Sequence, residues 1–109
     1  MMVDDGGTMI LEAAVLQVKA GDGDAFEAAM LTAAPVLAGS AGYLSHALQR
    51  CVETPGRYLL LVRWETLEAH TVGFRQSAAF GEWRGILSPF FAGAPVVEHY
   101  EGVLEWPVL

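Results

Sequence analysis

Residues 64–85, WETLEAHTVGFRQSAAFGEWRG, hold the densest set of groups able to do chemistry in this chain. Two of the three Trp, one of the three His and two of the six basic residues fall there. His70 is the candidate base or proton shuttle, because an imidazole ordinarily titrates close to neutral pH. Arg75 and Arg84 are candidates to hold an anionic oxygen, since a guanidinium stays charged and presents a fork of donors. Trp64, Phe74, Phe80 and Trp83 would supply flat apolar walls for a small aromatic molecule.

Each of these groups also has a plainer use. Leu67, His70 and Phe74 fall at i, i+3 and i+7, so His70 can be a hydrogen-bonded core residue on an apolar helix face. Phe80, Trp83, Leu87 and Phe90 repeat at spacings of 3, 4 and 3, the pattern of a helix lying on a sheet. Arg63, Arg75 and Arg84 can form ion pairs with Glu65, Glu68, Glu82 or Glu98. His46 and His99 fall on segments expected to be edge strands and stand outside the candidate set. There is no Cys/His spacing suited to a metal, no Gly-rich phosphate loop before a helix and no Ser elbow. No metal or cofactor is therefore expected from the motifs.

The elements that must position these residues follow from periodicity. Residues 9–19 read as a strand with apolar residues on both faces: Leu11, Ala13 and Val15 on one, Ile10, Leu16 and Val18 on the other. A helix follows, with Asp24 and Glu27 at capping-box spacing and Phe26, Met30, Ala33 and Leu37 on its apolar face. Pro35 is expected to kink it or end it early. Residues 42–52 and 57–65 read as a hairpin across the turn 53–56, where Pro55 and Gly56 suit a type II turn. Helical segments are expected at 66–75 and 78–92, broken at Gln76-Ser77, with Ser77 as a cap. A last strand covers 96–104. The order strand–helix–strand–strand–helix–strand predicts an α+β, ferredoxin-like split βαβ fold with a four-stranded antiparallel sheet.

Composition adds a constraint on assembly. Of 109 residues, 53% are apolar and 17% charged, against a usual ~45–50% and ~25%. Helices would cover one face of the sheet, and a second copy would cover the other, so a homodimer is expected. The apolar residues 105–109 read as an arm that packs on the partner subunit, and residues 1–8 as a flexible tail. The net charge of −7 argues against nucleic acid and anionic membranes as partners. The single cysteine, Cys51, has no intrachain partner, which points to a cytoplasmic protein.

The stretch RYLLLVRWETLEAHTVGFRQSAAFGEWRGILSPFF, followed by VVEH, resembles the antibiotic biosynthesis monooxygenase domain family. Trp64, Glu65, Thr66, His70, Ser77 and Phe80 match its pattern of Trp-Glu-Ser/Thr, a helical His or aromatic, and Ser-x-x-Phe. The likeness covers residues 9–104. It implies a dimeric α+β barrel with a pocket between the sheet and the helices of each subunit. Some relatives oxidise polycyclic phenols or quinols with O2 and no cofactor; others degrade haem. The haem-degrading pattern needs an Asn on the first strand and a helical His. This chain has no Asn, and the His position falls at Arg84, so haem degradation is not expected. The expectation is a cofactor-independent monooxygenase acting on a small aromatic or quinol-like substrate. In it His70 is the base, and Arg75 or Arg84 stabilises a phenolate or peroxide. A non-catalytic dimeric binding or sensing module, and a relic scaffold whose pocket is filled by its own side chains, are the alternatives.

Overall fold

Alternation along residues 57–64, RYLLLVRW, sets the core. Tyr58, Leu60, Val62 and Trp64 are buried on one side, and Leu59 and Leu61 are half-buried on the other. A computed structural model describes residues 9–107. Along the chain run β1 (Ile10–Gln17), α1 (Gly23–Ala38), β2 (Tyr43–Arg50), β3 (Arg57–Trp64), a π-helical segment (Ala69–Phe74), α2 (Ala78–Leu87), a 3-10 turn (Ser88–Phe90) and β4 (Val96–Glu101). The strands form one antiparallel sheet in the order β2-β3-β1-β4, the expected ferredoxin-like arrangement. None of the helices among the described residues is long and apolar enough to cross a membrane.

One sheet face is roofed by α1 and α2, which pack on each other. α1 buries Phe26, Met30, Ala33 and Leu37, the apolar stripe the sequence predicts. The core beneath it includes Ala14, Leu16, Val18, Leu60, Val62 and Trp64. The other face carries Leu11, Ala13 and Val15 of β1, Leu59 and Leu61 of β3, and Val96 and Tyr100 of β4, none of them fully buried.

Four local expectations are corrected. Asp24 and Glu27 form no capping box. Asp22 stands at the N-cap without a side-chain cap bond, and Glu27 turns instead to the Tyr58 hydroxyl at 2.6 Å and the Arg50 guanidinium at 2.7 Å. Pro35 does not end α1, which runs on to Ala38. The carbonyl that the missing N–H leaves free is that of Leu31, an exposed residue that water can reach. The second long helix stops at Leu87 and tightens into a 3-10 turn where Pro89 cannot donate a backbone bond. β4 ends at Glu101 rather than 104, and Val103, Leu104 and Trp106 are exposed. Residues 1–8 and the last two residues of the expected arm lie outside the described residues.

The β2–β3 turn depends on Gly56. Its φ is +83°, and a Cβ there would sit 2.8 Å from the Val18 carbonyl oxygen. Gly81, in α2, has nothing within 4 Å of such a Cβ. Gly56→Ala is expected to lower stability by about 1–3 kcal/mol, and Gly81→Ala to raise it by about 0.5–1 kcal/mol. Urea unfolding midpoints of the two variants check this pair of opposite signs.

Candidate functional site

Strand register gathers the first three members of the site. Glu12 of β1 lies opposite Val62 of β3 and opposite His99 of β4. Residues directly opposite share a sheet face, so Glu12 and His99 both point toward the helices, as does Trp64, two residues beyond Val62. His70 comes down on them from the π-helical segment. The Arg75 amide bonds the His70 carbonyl at 2.9 Å, five residues back. This wide turn is of a kind often found at functional sites, and it buries both His70 and Phe74. Ser77 then caps α2 as expected, accepting from the Phe80 amide and donating to the Phe74 carbonyl at 2.7 Å.

The contacts within the cluster are specific. The Trp64 Nε1–H donates to Glu12 Oε1 at 3.0 Å. His70 Nε2 lies 3.4 Å from the same oxygen. His70 Nδ1 and His99 Nε2 are 2.8 Å apart and share one proton between two rings. The His70 ring stacks on Trp64, with centroids 5.2 Å apart and planes 21° from parallel. Glu12 is 6% exposed and His70 3%. Burial raises the pKa of the Glu12 carboxyl, against the pull of the Trp64 N–H and the Arg75 charge. Burial, then the charges of His99 and Arg75, lower His70 to about 4. Burial, then Arg75, lower His99 in the same sense. His70 is thus neutral at pH 7, with His99 hydrogen-bonded at one nitrogen and the Glu12 carboxyl near the other.

A cavity of about 420 Å³ opens beside this cluster, within the size range of small-molecule sites. Glu12 and His70 line it, with Phe74, Phe80 and Trp83 among its aromatic walls. Arg75 and Arg84 line it too, each with its guanidinium carbon 5.8 Å from the centre of the Phe80 ring. Among the described residues neither arginine, nor Arg63, takes part in an ion pair, so the pairing with Glu65, Glu68, Glu82 or Glu98 does not form.

Six of the seven sequence candidates therefore meet in one cavity: His70, Arg75, Arg84, Phe74, Phe80 and Trp83. Trp64 does not line it. It is fully buried one layer behind, under the His70 ring, where it supports His70 and holds Glu12. Two residues were missed. His99 lies on the edge strand β4, outside the candidate set, yet it is the hydrogen-bond partner of His70. Glu12 was overlooked in a strand read as apolar. Its signal was its place in the same register as Ala14, Leu16 and Val18, where a carboxylate must enter the core.

The family model described as antibiotic biosynthesis monooxygenase matches residues 9–85. The chain belongs to this family. An uncharacterised protein of Bacillus subtilis, YczJ, is 47% identical over 95 residues, covering 87% of this chain and all of that protein. A structure from Bordetella bronchiseptica, whose name assigns it provisionally to the same family, shares 43% identity. It has a TM-score of 0.86 and covers 89% of this chain and 99% of its own. SnoaB from Streptomyces nogalater, named as a cofactor-independent oxygenase, superposes with a TM-score of 0.76 over 93% of this chain and 99% of its own. At 16% identity that likeness shows the fold alone.

The His70 shift has a definite sign in stability. Between about 6.5 and 4 the unfolded chain protonates its histidine while folded His70 stays neutral. The unfolded state then binds more protons, so stability falls as pH drops through that window, by an amount of order 3 kcal/mol from this residue. Glu12, raised, acts in the opposite sense. NMR titration of the His70 ring is expected to give a midpoint near 4. Denaturation between pH 7 and 4 is expected to show a smaller acid loss for His70→Gln than for the wild type.

Proposed function

We propose that this chain is a cofactor-independent monooxygenase that oxidises a small phenol or quinol-like molecule with O2. The observation that carries this reading is one cavity holding a buried carboxyl–imidazole pair, aromatic walls and two arginines without ion-pair partners among the described residues. These are the parts such a reaction needs. A phenol reacts with O2 far more readily as its anion, so the site must remove a proton and stabilise the charge left behind. His70 with Glu12 supplies the proton acceptor, and Arg75 and Arg84 hold the phenolate oxygen. The name of SnoaB supports the class of reaction on this fold.

The step balances without a further reagent. The phenolate gives one electron to O2, and the resulting radical and superoxide join at a ring carbon that bears hydrogen. The peroxide takes back the proton, and loss of water leaves a second carbonyl. Phenol and O2 become quinone and water: the ring gives up four electrons and O2 accepts all four. Apolar walls keep bulk water from the peroxide and strengthen each charge interaction inside.

The same reading includes a homodimer. The face bearing Leu11, Leu59, Leu61 and Tyr100 has no cover among the described residues, and a second sheet would bury it. Leu61→Asp is expected to shift a dimer to monomer in light scattering; a wild-type monomer would remove the homodimer from the reading. For the chemistry, oxygen uptake is measured against a panel of phenols and quinols. Uptake is expected with wild type and is expected to fall about 10²-fold in Arg84→Ala. Saturable binding without uptake assigns a binding module instead, and a sharp Soret shift on haem titration would point away from phenols.

A further inference from the structure

We propose that the atom that takes the substrate's proton is Glu12 Oε2, with His70 and His99 as positioning residues behind the carboxyl. This rests on the reading of the cavity as a phenol-oxidising site and identifies the base within it. His70 is the obvious base by residue type, but its Nδ1 is held by His99 and its Nε2 stands beside the Glu12 carboxyl. Its Nδ1 is 2.8 Å from His99 Nε2, and its Nε2 faces Glu12 Oε1 at 3.4 Å. Glu12 is placed differently. Its Oε1 accepts from Trp64 and has His70 Nε2 nearby at 3.4 Å, while Oε2 has no hydrogen-bond partner among the described residues. The side chain keeps only 9% of its exposure, and it lines the cavity. A buried carboxyl oxygen without a partner is uncommon unless something else satisfies it, and a substrate hydroxyl fits that need.

The proton inventory runs in one direction. With His99 Nε2–H donating to His70 Nδ1, the one N–H of a neutral His70 is at Nε2, 3.4 Å from Glu12 Oε1. Each neutral imidazole has one N–H, and in this arrangement the His99 N–H is spent on His70 while the His70 N–H stands on the side of the carboxyl. When a phenol enters, its O–H gives its proton to Glu12 Oε2. The O–H bond breaks, its electron pair stays on the phenolate oxygen, and Glu12 becomes neutral. Negative charge thus leaves a dry carboxyl, where burial disfavours it, for an oxygen within reach of Arg75 and Arg84. Arg75 is the cation whose charge already acts on Glu12, His70 and His99. The proton held on Glu12 is the one later returned to the peroxide, so no outward path for it is required.

The test uses 4-nitrophenol, a phenol too electron-poor to be turned over, whose phenolate has its own visible band. It is added at a pH below its own ionisation. Wild type is expected to bind it with the phenolate band. Glu12→Gln keeps an oxygen for Trp64 and is expected to bind it within a few-fold of the wild-type Kd but as the neutral phenol. His70→Gln, which leaves the carboxyl in place, is expected to keep the band. Loss of the band in His70→Gln with its retention in Glu12→Gln would make His70 the base and overturn the assignment. Retention in both variants would overturn it too, since the arginines would then suffice. A wild-type protein that binds no phenol would sink the functional reading along with this one. Thermal melting reports whether each variant is folded. Should Glu12→Gln not fold, Glu12→Met, which removes the acid and its burial, takes its place with the same expected loss of the band. With an oxidisable phenol, kcat of the Glu12 variant is expected to fall by about 10²–10⁴-fold while KM moves little.

Discussion

A carboxyl group held inside the protein is the constraint around which the rest of this site is arranged. An ionised carboxylate loses several kcal/mol of hydration on burial unless neighbouring dipoles replace the water. Glu12 receives the Trp64 N–H and faces His70 Nε2, which offsets part of that loss. Trp64 can be fully buried for the same reason, since its one donor is used. His70 is fixed from both sides, by stacking on Trp64 and by the ring-to-ring hydrogen bond with His99. Removing Trp64 takes from Glu12 Oε1 its donor, and removing Glu12 leaves the buried Trp64 N–H unsatisfied.

The backbone departs from regularity where this cluster needs it. A regular α-helix at residues 69–74 would make i to i−4 bonds, whereas the Arg75 amide reaches back five residues to His70. The wider turn lets His70 and Phe74 both face inward and leaves Arg75 at the cavity. Ser77 then ends the irregular stretch by capping α2, so Phe80 and Trp83 arrive in register as walls. The regular sheet and the irregular helix thus divide the work: strands place Glu12, Trp64 and His99, and the π-helical segment delivers His70 and Arg75.

Electrostatics fits the same division. The chain is acidic overall at −7, yet two of its six basic residues line a single cavity without ion-pair partners among the described residues. The Arg75 charge lowers the proton affinity of His70 and His99 only in part; burial is the larger cause in each. Neutral imidazoles and a carboxyl of raised pKa are groups that can exchange a proton without creating an isolated charge in a dry site.

Much of this was readable from residue order alone. The period-two run of β3, the apolar stripe of α1, and the Trp-Glu-Thr and Ser-x-x-Phe pattern determined the α+β topology and the family. They also placed His70, Arg75, Arg84 and three of the aromatic walls close together, because those residues are neighbours along the chain. What the order of residues could not reveal was the cluster's far side. Glu12 and His99 are 87 positions apart by number and meet only because β1 and β4 pair in one register. Trp64 changes from wall to support because His70 lies over it. The capping box and the early stop at Pro35 failed for a related reason: tertiary contacts to Tyr58 and Arg50, and the exposed position of Leu31, outweigh local preference. Local chemistry is written in spacing, whereas which buried groups face one another is decided by strand register and packing.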